Sequence, residues 1–359
     1  TRSLATYHAE VMDGAGQPWF TEDAYDDFYF GKGSTYPDIN GSIGVLFEQR
    51  AIRGQALETS NGIETFQLAV ANQLRVSLSS LRGAWEMRDR FKDYQAGFHD
   101  SMLERAASRK FSAWIVGDDG DPARAQAFLD VLELHRIEYR PLGETIRAGG
   151  NEFQPGRAWV IPARQKQFGL LEALMERRTE FEDNTFYDVS AWTLPLAHNL
   201  PYATVARTPA TDDPLSASRG VSPAEDALTW LIPWSQLEAP VLLQELLDAG
   251  ARVRTSRKPF TAQTTSGLTA FQPGTLVVHA GIQDKDRKAE ILDRLGSAAL
   301  AGLEVHSLQT TITPSGPDFG ASHFPIVEAV TPLILGGNGV STYDTGSAWH
   351  LLDHRLRMA

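Results

Sequence analysis

The residue best suited to chemistry in this chain is Glu48, which ends a short apolar run. A loop rich in glycine and proline precedes the run, and Ile43 to Phe47 has the length and composition of a buried strand. Burial at the mouth of a strand raises the pKa of a carboxylate toward the range that suits proton transfer. The same pattern fits an ordinary strand-end carboxylate in solvent, and composition alone does not separate the two interpretations.

Metal ligands are the second kind of residue that could take part in chemistry, and the nine histidines are the candidates. None of them belongs to a His-Glu-x-x-His motif. His350 and His354 share a helical face with only Asp353 nearby, and His8 stands alone. The chain has no cysteine, which excludes thiolate metal sites, disulfides and cysteine nucleophiles. The sequence therefore predicts that these residues hold no metal centre.

The loop and run around Glu48 resemble the C-terminal end of the catalytic domain of zinc metallocarboxypeptidases of the carboxypeptidase A type. The resemblance is closest to a bacterial branch that carries further α/β domains after the peptidase. The chain departs from that branch at Arg50-Ala51-Ile52, where small residues usually stand. The resemblance rests on Asp27-Phe28-Tyr29-Phe30-Gly31-Lys32-Gly33-Ser34-Thr35-Tyr36-Pro37-Asp38-Ile39-Asn40-Gly41-Ser42-Ile43-Gly44-Val45-Leu46-Phe47-Glu48-Gln49, followed by Arg53-Gly54.

This resemblance implies roles for two residues. A glutamate at the position of Glu48 is the general base that acts on zinc-bound water, and a tyrosine on the preceding loop closes over the substrate. Tyr29 matches that tyrosine, and Tyr36 lies in the same loop as an alternative. The zinc ligands, a His-x-x-Glu pair and a later His, would lie upstream of Thr1. The resemblance thus implies zinc in the intact protein, a peptide substrate, an upstream peptidase segment that holds the metal, and a secreted or periplasmic location.

After Lys110, short apolar runs alternate with amphipathic helical stretches, and this order occurs twice. Trp114 lies in the first apolar run of one copy and Trp230 in that of the other. The tetrapeptide Phe-Gln-Pro-Gly precedes the third strand in both copies, at Phe153 and at Phe271. The repetition predicts a duplicated Rossmann-like or flavodoxin-like α/β domain of parallel strands with right-handed crossovers.

Three domains are predicted from this pattern. Residues 1–107 are the C-terminal part of a carboxypeptidase-like α/β domain. Residues 108–326 are the duplicated α/β accessory domain, with a first half at about 108–207 and a second half at about 223–326. Residues 327–359 begin a further α/β unit, which the resemblance identifies as amidotransferase-like, although such chemistry needs a cysteine.

Other stretches carry weaker signals. The apolar pattern over 61–100 predicts a long helix with one buried and one solvated face. Near Asp188, Tyr187 and Trp192 form either a ligand pocket or a packed aromatic cluster. The glycine-rich turn at 336–341 leads into a helix, a setting that binds anions, yet it matches neither the dinucleotide nor the P-loop spacing.

Composition excludes several classes of protein. The chain has 359 residues, of which 33 are Lys or Arg and 45 are Asp or Glu, so its net charge is -12. With no basic cluster, neutralisation of nucleic-acid phosphates is not expected. No apolar run approaches the roughly 18 residues of a membrane span, and residues 1–20 lack the order of a signal peptide.

The leading hypothesis is a fragment of a zinc-dependent metallocarboxypeptidase that hydrolyses C-terminal peptide bonds. Because the zinc ligands are expected upstream, the chain alone is predicted to be inactive. The alternative is a non-catalytic ligand-binding or scaffold module of α/β type, with a ligand at the carboxyl edge of the strands.

Overall fold

The computed structural model describes residues 1–21, 29–118, 120–177, 179, 193–212 and 222–358. Within them, helices and strands are mixed, as predicted for the α/β class. The N-terminal region is mainly helical and contains one β-hairpin. Its elements are α1 (Arg2–Gly14), α2 (Thr35–Ile39), β1 (Ala56–Thr59), β2 (Gly62–Thr65), α3 (Phe66–Glu86) and α4 (Arg88–Ala107).

Helix α3 is the centre of the N-terminal region. The hydroxyl of Thr65 accepts a hydrogen bond from a backbone N–H in the first turn at 3.2 Å, which satisfies one of the free amides there. Helix α1 packs along α3, and Gly83 permits the close approach, because a Cβ there would lie 2.6 Å from Cδ1 of Leu4. The single helix predicted over 61–100 is two helices, since the backbone of Met87 leaves helical values (φ -96°, ψ 10°).

The strand predicted at Ile43 to Phe47 does not form. Residues 43–53 have no regular secondary structure and pair with no strand that the structure describes. The backbone N–H of Gly44 instead donates to Oδ1 of Asp38 at 2.8 Å, and a Cβ on Gly44 would overlap the carbonyl oxygen of Ser34. An apolar run becomes a strand only beside a neighbour that satisfies its backbone groups, and here the preceding loop takes that place.

The first half contains a four-stranded sheet in the order β4-β7-β3-β8. A small hairpin, β5–β6, lies in the chain between strands β4 and β7. The elements in chain order are β3 (Ala113–Gly117), α5 (Pro122–Leu134), β4 (Arg140–Pro141), β5 (Ile146–Ala148), β6 (Asn151–Phe153), β7 (Ala158–Pro162), α6 (Phe168–Met175), α7 (Leu194–Ala197) and β8 (Tyr202–Val205).

The second half contains a second sheet in the order β10-β13-β9-β14, again with a projecting hairpin. Two short 3₁₀ turns precede its last helix. The elements are β9 (Thr229–Ile232), α8 (Ala239–Asp248), β10 (Val253–Thr255), β11 (Phe260–Thr264), β12 (Gly267–Phe271), β13 (Leu276–His279), α9 (Lys288–Leu300) and β14 (His306–Leu308).

Every strand pair in these two sheets is antiparallel, so the prediction of parallel strands is wrong. A parallel neighbour needs a long, usually helical crossover, whereas only a hairpin separates the second strand of each half from the third. The helices connect strands that run the same way with one antiparallel strand between them. This order is the split β-α-β arrangement of ferredoxin-like folds and not a Rossmann-like or flavodoxin-like one.

A buried glutamine supports the same turn in both halves. Oε1 of Gln165 accepts from the backbone N–H of Glu138 at 2.7 Å, and its Nε2 donates to the carbonyl oxygen of that residue at 3.2 Å. Gln283 makes the same two bonds with Arg252, at 2.8 and 3.0 Å. Each glutamine therefore fixes the turn between the first helix and the second strand of its half.

Apolar clusters cover the two faces of each sheet. Trp114 and Phe128 are central to one cluster of the first half, and Trp230 to its counterpart in the second. The N-terminal region adds a single buried side chain, Ala106 of α4, to these clusters. The halves thus have their own cores, and Phe30, Ile39 and Met102 of the N-terminal region pack, partly buried, against that of the first half.

The chain beyond the second half has little regular structure. Ile326 forms an isolated antiparallel bridge with Arg254 at the edge of the second sheet. Residues 331–335, where the predicted βα unit begins, have no regular secondary structure, and no strand among the described residues pairs with them. A glycine-rich turn then leads into α10 (Thr342–Trp349) and one π-helical stretch, His350–Arg355. Of the predicted βα unit, the described residues form only the helix.

Candidate active site

Glu48 lies in the irregular stretch that follows the glycine-rich loop. Its side chain is exposed, and among the described residues none forms a hydrogen bond or an ion pair with it. The expected desolvation at the mouth of a strand is therefore not present in this structure. What the structure does provide is a free carboxylate whose two neighbours along the chain are held by helices.

Those two neighbours are Phe47 and Gln49. The ring of Phe47 meets the ring of His8 edge to face, with 4.8 Å between centroids, and Nδ1 of His8 lies 2.8 Å from Oγ of Ser79 on α3. Oε1 of Gln49 accepts a hydrogen bond from Nε2 of Gln73, also on α3, at 3.3 Å. The two contacts fix the backbone on either side of Glu48 against α1 and α3. Burial lowers the pKa of His8, which favours its neutral form.

The two candidate tyrosines are placed differently. Tyr29 packs beside Phe30, with ring centroids 5.0 Å apart. The hydroxyl of Tyr36 lies 2.8 Å from Nδ1 of His135, at the end of α5. Tyr36 therefore joins the loop to the first half.

Histidine and acidic side chains do not converge on a common point in the described part of the chain, which contains no group of three or more able to hold a metal ion. His350 and His354 stack with ring centroids 5.6 Å apart, without a third ligand. The chain does contain one His-x-x-Glu spacing, His135 and Glu138. Arg136 between them has a positive φ of 57°, so the helix ends there and the two side chains do not share a helical face. These residues do not fit a zinc site.

Helix α3 carries an exposed apolar stripe on the side that faces away from α1. The positions repeat every three or four residues, so they share one helical face, while Val76, Ser79 and Gly83 share the opposite face toward α1. Leu74, in the middle of the stripe, is 57% exposed. The α3 stripe consists of Phe66, Val70, Leu74, Leu78, Leu81 and Trp85.

No protein-family model matches this chain, and no curated protein or solved structure matches it. Among the described residues, no helix is both long and apolar enough to cross a membrane. The aromatic candidates near Asp188, Tyr187 and Trp192, lie outside the described residues.

One feature of the first half was not predicted from sequence, namely a cavity of about 670 Å³. It lies between the loop after β3, the turn after β6 and the loop before β8. These three segments are far apart along the chain, so no local motif marks the cavity. The residues that line it are Gly117, Asp118, Gly120, Asn151, Glu152, Phe153, Gln154, Arg157, Leu196, Asn199, Leu200 and Pro201.

Proposed function

We propose that residues 1–107 are part of a carboxypeptidase-like domain in which Glu48 is the general base for hydrolysis of C-terminal peptide bonds. The α3 stripe is the observation that carries this proposal from geometry. A helix with an exposed apolar stripe opposite its packed face is suited to lie between two layers of structure, and α1 covers only the packed side of α3. A second layer on the stripe would complete the domain.

The free energy available from covering the stripe is substantial. Complete burial of one large apolar side chain contributes about 1.5–3 kcal/mol, and six such side chains, each at least half exposed, lie along α3. Helix α3 has 21 residues and is about 30 Å long, the diameter of a small domain.

The chemistry assigned to this chain is limited to proton transfer. In the proposed site, the Glu48 carboxylate accepts a proton from the attacking water and returns it to the leaving amine. Tyr29 donates one hydrogen bond to the bound peptide. The described residues do not fit a zinc site, so a metal would have to be held by other residues.

The test is the variant Glu48→Gln in the full-length protein. Replacing the carboxylate by an amide of the same size removes the proton acceptor, and we expect peptide hydrolysis to fall by about 10² to 10⁴ with the fold unchanged. Tyr29→Phe should cost less, since one hydrogen bond contributes about 0.5–1.5 kcal/mol. The matched control is Glu58→Gln, which changes another exposed carboxylate, on β1.

Two results would contradict the assignment. The first is a Glu48→Gln protein that retains more than about a third of the wild-type turnover, which loss of a general base does not permit. The second is equal loss of activity in Glu58→Gln. The 359-residue chain by itself is expected to release no amino acid from peptides and to retain no zinc after dialysis against a weak chelator.

A second variant tests the role of the α3 stripe. Leu78→Glu places a charge in the middle of a face that is solvated in this chain but covered in the proposed full-length protein. We expect the change to leave the unfolding free energy of the 359-residue chain within about 0.5 kcal/mol, as for other surface substitutions. In the full-length protein, an unpaired buried carboxylate should lower stability by several kcal/mol. If Leu78→Glu changes the unfolding free energy equally little in the 359-residue chain and in the full-length protein, nothing covers the stripe.

We infer further that residues 108–326 arose by duplication of one β-α-β-β-α-β unit. The equal strand orders, the two Phe-Gln-Pro-Gly turns and the two glutamine-supported turns favour this interpretation. The alternative function, a ligand-binding module, draws its support from the cavity in the first half. It concerns a different part of the chain from Glu48, so the two proposals do not compete.

A further inference from the structure

The cavity in the first half corresponds to a filled place in the second. Both halves have a Phe-Gln-Pro-Gly turn, and its glycine has a positive φ in each, 78° at Gly156 and 95° at Gly274. A Cβ on Gly156 would meet nothing within 4 Å, whereas one on Gly274 would lie 3.2 Å from the Cβ of Trp234. The glycine of the turn is therefore uncovered in the first half, where Gln154 and Arg157 of the same turn line the cavity, and covered by a side chain in the second.

The loop after the first strand explains the difference. Asp118 follows Trp114 by four residues, and Trp234 follows Trp230 by the same distance. Trp234 packs on its turn. Oδ1 of Asp118 instead accepts hydrogen bonds from the backbone N–H groups of Gly120 and Asp121, at 2.7 and 2.6 Å. Because this carboxylate is turned back onto its own loop, the space that a large side chain fills in the second half stays open.

A second side chain contributes to the filling. Gln236 is buried in the second half, and Oε1 accepts from the backbone N–H of Glu304 at 2.6 Å while Nε2 donates to its carbonyl oxygen at 3.1 Å. By register, Pro201 in the first half corresponds to Glu304, because Thr204 pairs with Trp114 as Ser307 pairs with Trp230. Pro201 lines the cavity and has no N–H to be held in this way.

Charges of both signs line the cavity. Nε of Arg157 lies 3.7 Å from Oδ2 of Asp118, and the arginine side chain is 54% exposed, so donors remain for a ligand. Glu152 pairs with Arg147 at 2.6 Å, accepts a hydrogen bond from Nε2 of Gln154 at 3.0 Å, and is 38% exposed. Asn151, Gln154 and Asn199 add amide groups, and Phe153 with Leu200 forms an apolar floor. Arg147 balances Glu152 and Arg157 balances Asp118, so the cavity presents charges of both signs without an excess of either.

We propose that this cavity binds a small zwitterion of the amino-acid class, either a free amino acid or a dipeptide. Such a ligand matches the lining, with its carboxylate at Arg157, its ammonium group at Glu152 and polar groups at the amides. The volume of about 670 Å³ lies within the range of small-molecule sites, about 300–1,000 Å³. This inference is independent of the role proposed for Glu48.

The test is isothermal titration of the 359-residue chain with free amino acids, with dipeptides and with inorganic phosphate. We expect saturable binding of at least one zwitterion. Arg157→Met should weaken that binding about tenfold or more, the usual contribution of a hydrogen bond to a charged group. The matched control is Arg164→Met, which removes another exposed arginine outside the cavity and should leave the affinity unchanged.

A second variant tests whether the ligand occupies this cavity, without changing the charge of the protein. Leu196 is half exposed at the rim, and Leu196→Trp should fill the cavity much as Trp234 fills its place in the second half. We expect it to abolish binding and leave the unfolding transition in place. The proposal is overturned if no amino acid or dipeptide binds, if phosphate binds as tightly as the zwitterions, or if Arg157→Met and Arg164→Met have the same affinity.

Discussion

The first and second halves have the same strand order, yet they differ beside the Phe-Gln-Pro-Gly turn that precedes the third strand of each half. Gly156 faces open space and Gly274 is covered by Trp234, although both belong to the same tetrapeptide. The elements that carry the core are alike, and the loops at one end of the sheet differ. In a shared frame, the loops at one end of the sheet can thus leave a cavity in one copy and be covered by side chains in the other.

The halves also agree where the backbone needs support. A residue with positive φ stands two positions after the first helix of each half, Arg136 at 57° after α5 and Gly250 at 76° after α8. In both cases the next N–H bonds to a carbonyl oxygen five residues back, at 2.9 Å. The buried glutamines Gln165 and Gln283 follow in equivalent roles. Arg136 shows that this turn is kept even where the residue with positive φ is not glycine.

The first prediction on this comparison concerns the two glutamines. Gln165→Leu and Gln283→Leu should each lower the unfolding free energy by about 1–3 kcal/mol, because an N–H and a carbonyl group lose their partner in a half-buried place. Gln126→Leu is the control, since that glutamine is exposed on α5 and bonds only to Asp130 one turn away. Urea unfolding measures all three.

Equal costs for the two glutamine variants would strengthen the inference of duplication. A loss of unfolding free energy above about 1 kcal/mol in one variant and none in the other would break the comparison. The two glutamines would then make the same hydrogen bonds without stabilising their turns equally. If Gln126→Leu were as damaging as the buried variants, the effect would come from loss of polarity and not from the turn.

The sequence predicted the elements of the two halves better than their pairing. The apolar runs at Trp114 and Trp230 are strands, and both Phe-Gln-Pro-Gly turns connect a hairpin to the third strand. Parallel pairing was wrong because strand direction depends on the connection, and the hairpins β5–β6 and β11–β12 were not recognised. Short polar strands such as Asn151–Phe153 lack the apolar alternation that marks a strand in sequence.

The candidate site was harder to predict for a different reason. Ile43 to Phe47 has the composition of a strand, but strand formation depends on a neighbour that composition does not reveal. On α3, the pattern indicated one buried face, whereas Val76 is buried and Leu74 is exposed on the opposite side. The cavity escaped prediction because its lining comes from three separate segments. The assignments of Glu48 and Tyr29 stay predictions.

The last prediction uses a titratable group that only one half has. His279 pairs with Thr229 at the end of β13, and Nδ1 lies 2.9 Å from the Thr229 hydroxyl. In the first half the corresponding register position, opposite Ala113, is Pro162, which does not titrate. Burial lowers the pKa of His279 below its usual value near 6.5, and Arg254 acts in the same direction, while a backbone hydrogen bond with Phe319 opposes them.

Because the folded pKa is depressed, the unfolded chain binds a proton at His279 at a higher pH than the folded chain does. Above about pH 6.5 both states are neutral there and His279 contributes no pH dependence. As the pH falls below that value, the unfolded state gains protons first, so stability decreases until the folded pKa is reached.

His279→Asn should make this decrease smaller, since an amide keeps a bond to Thr229 without titrating. Burial also lowers the pKa of His8, His135 and His198, but these groups are present in both proteins and cancel in the difference. Urea unfolding of both proteins at pH 7.5 and at pH 5 measures the effect, and identical slopes would mean that His279 is solvated in the folded state.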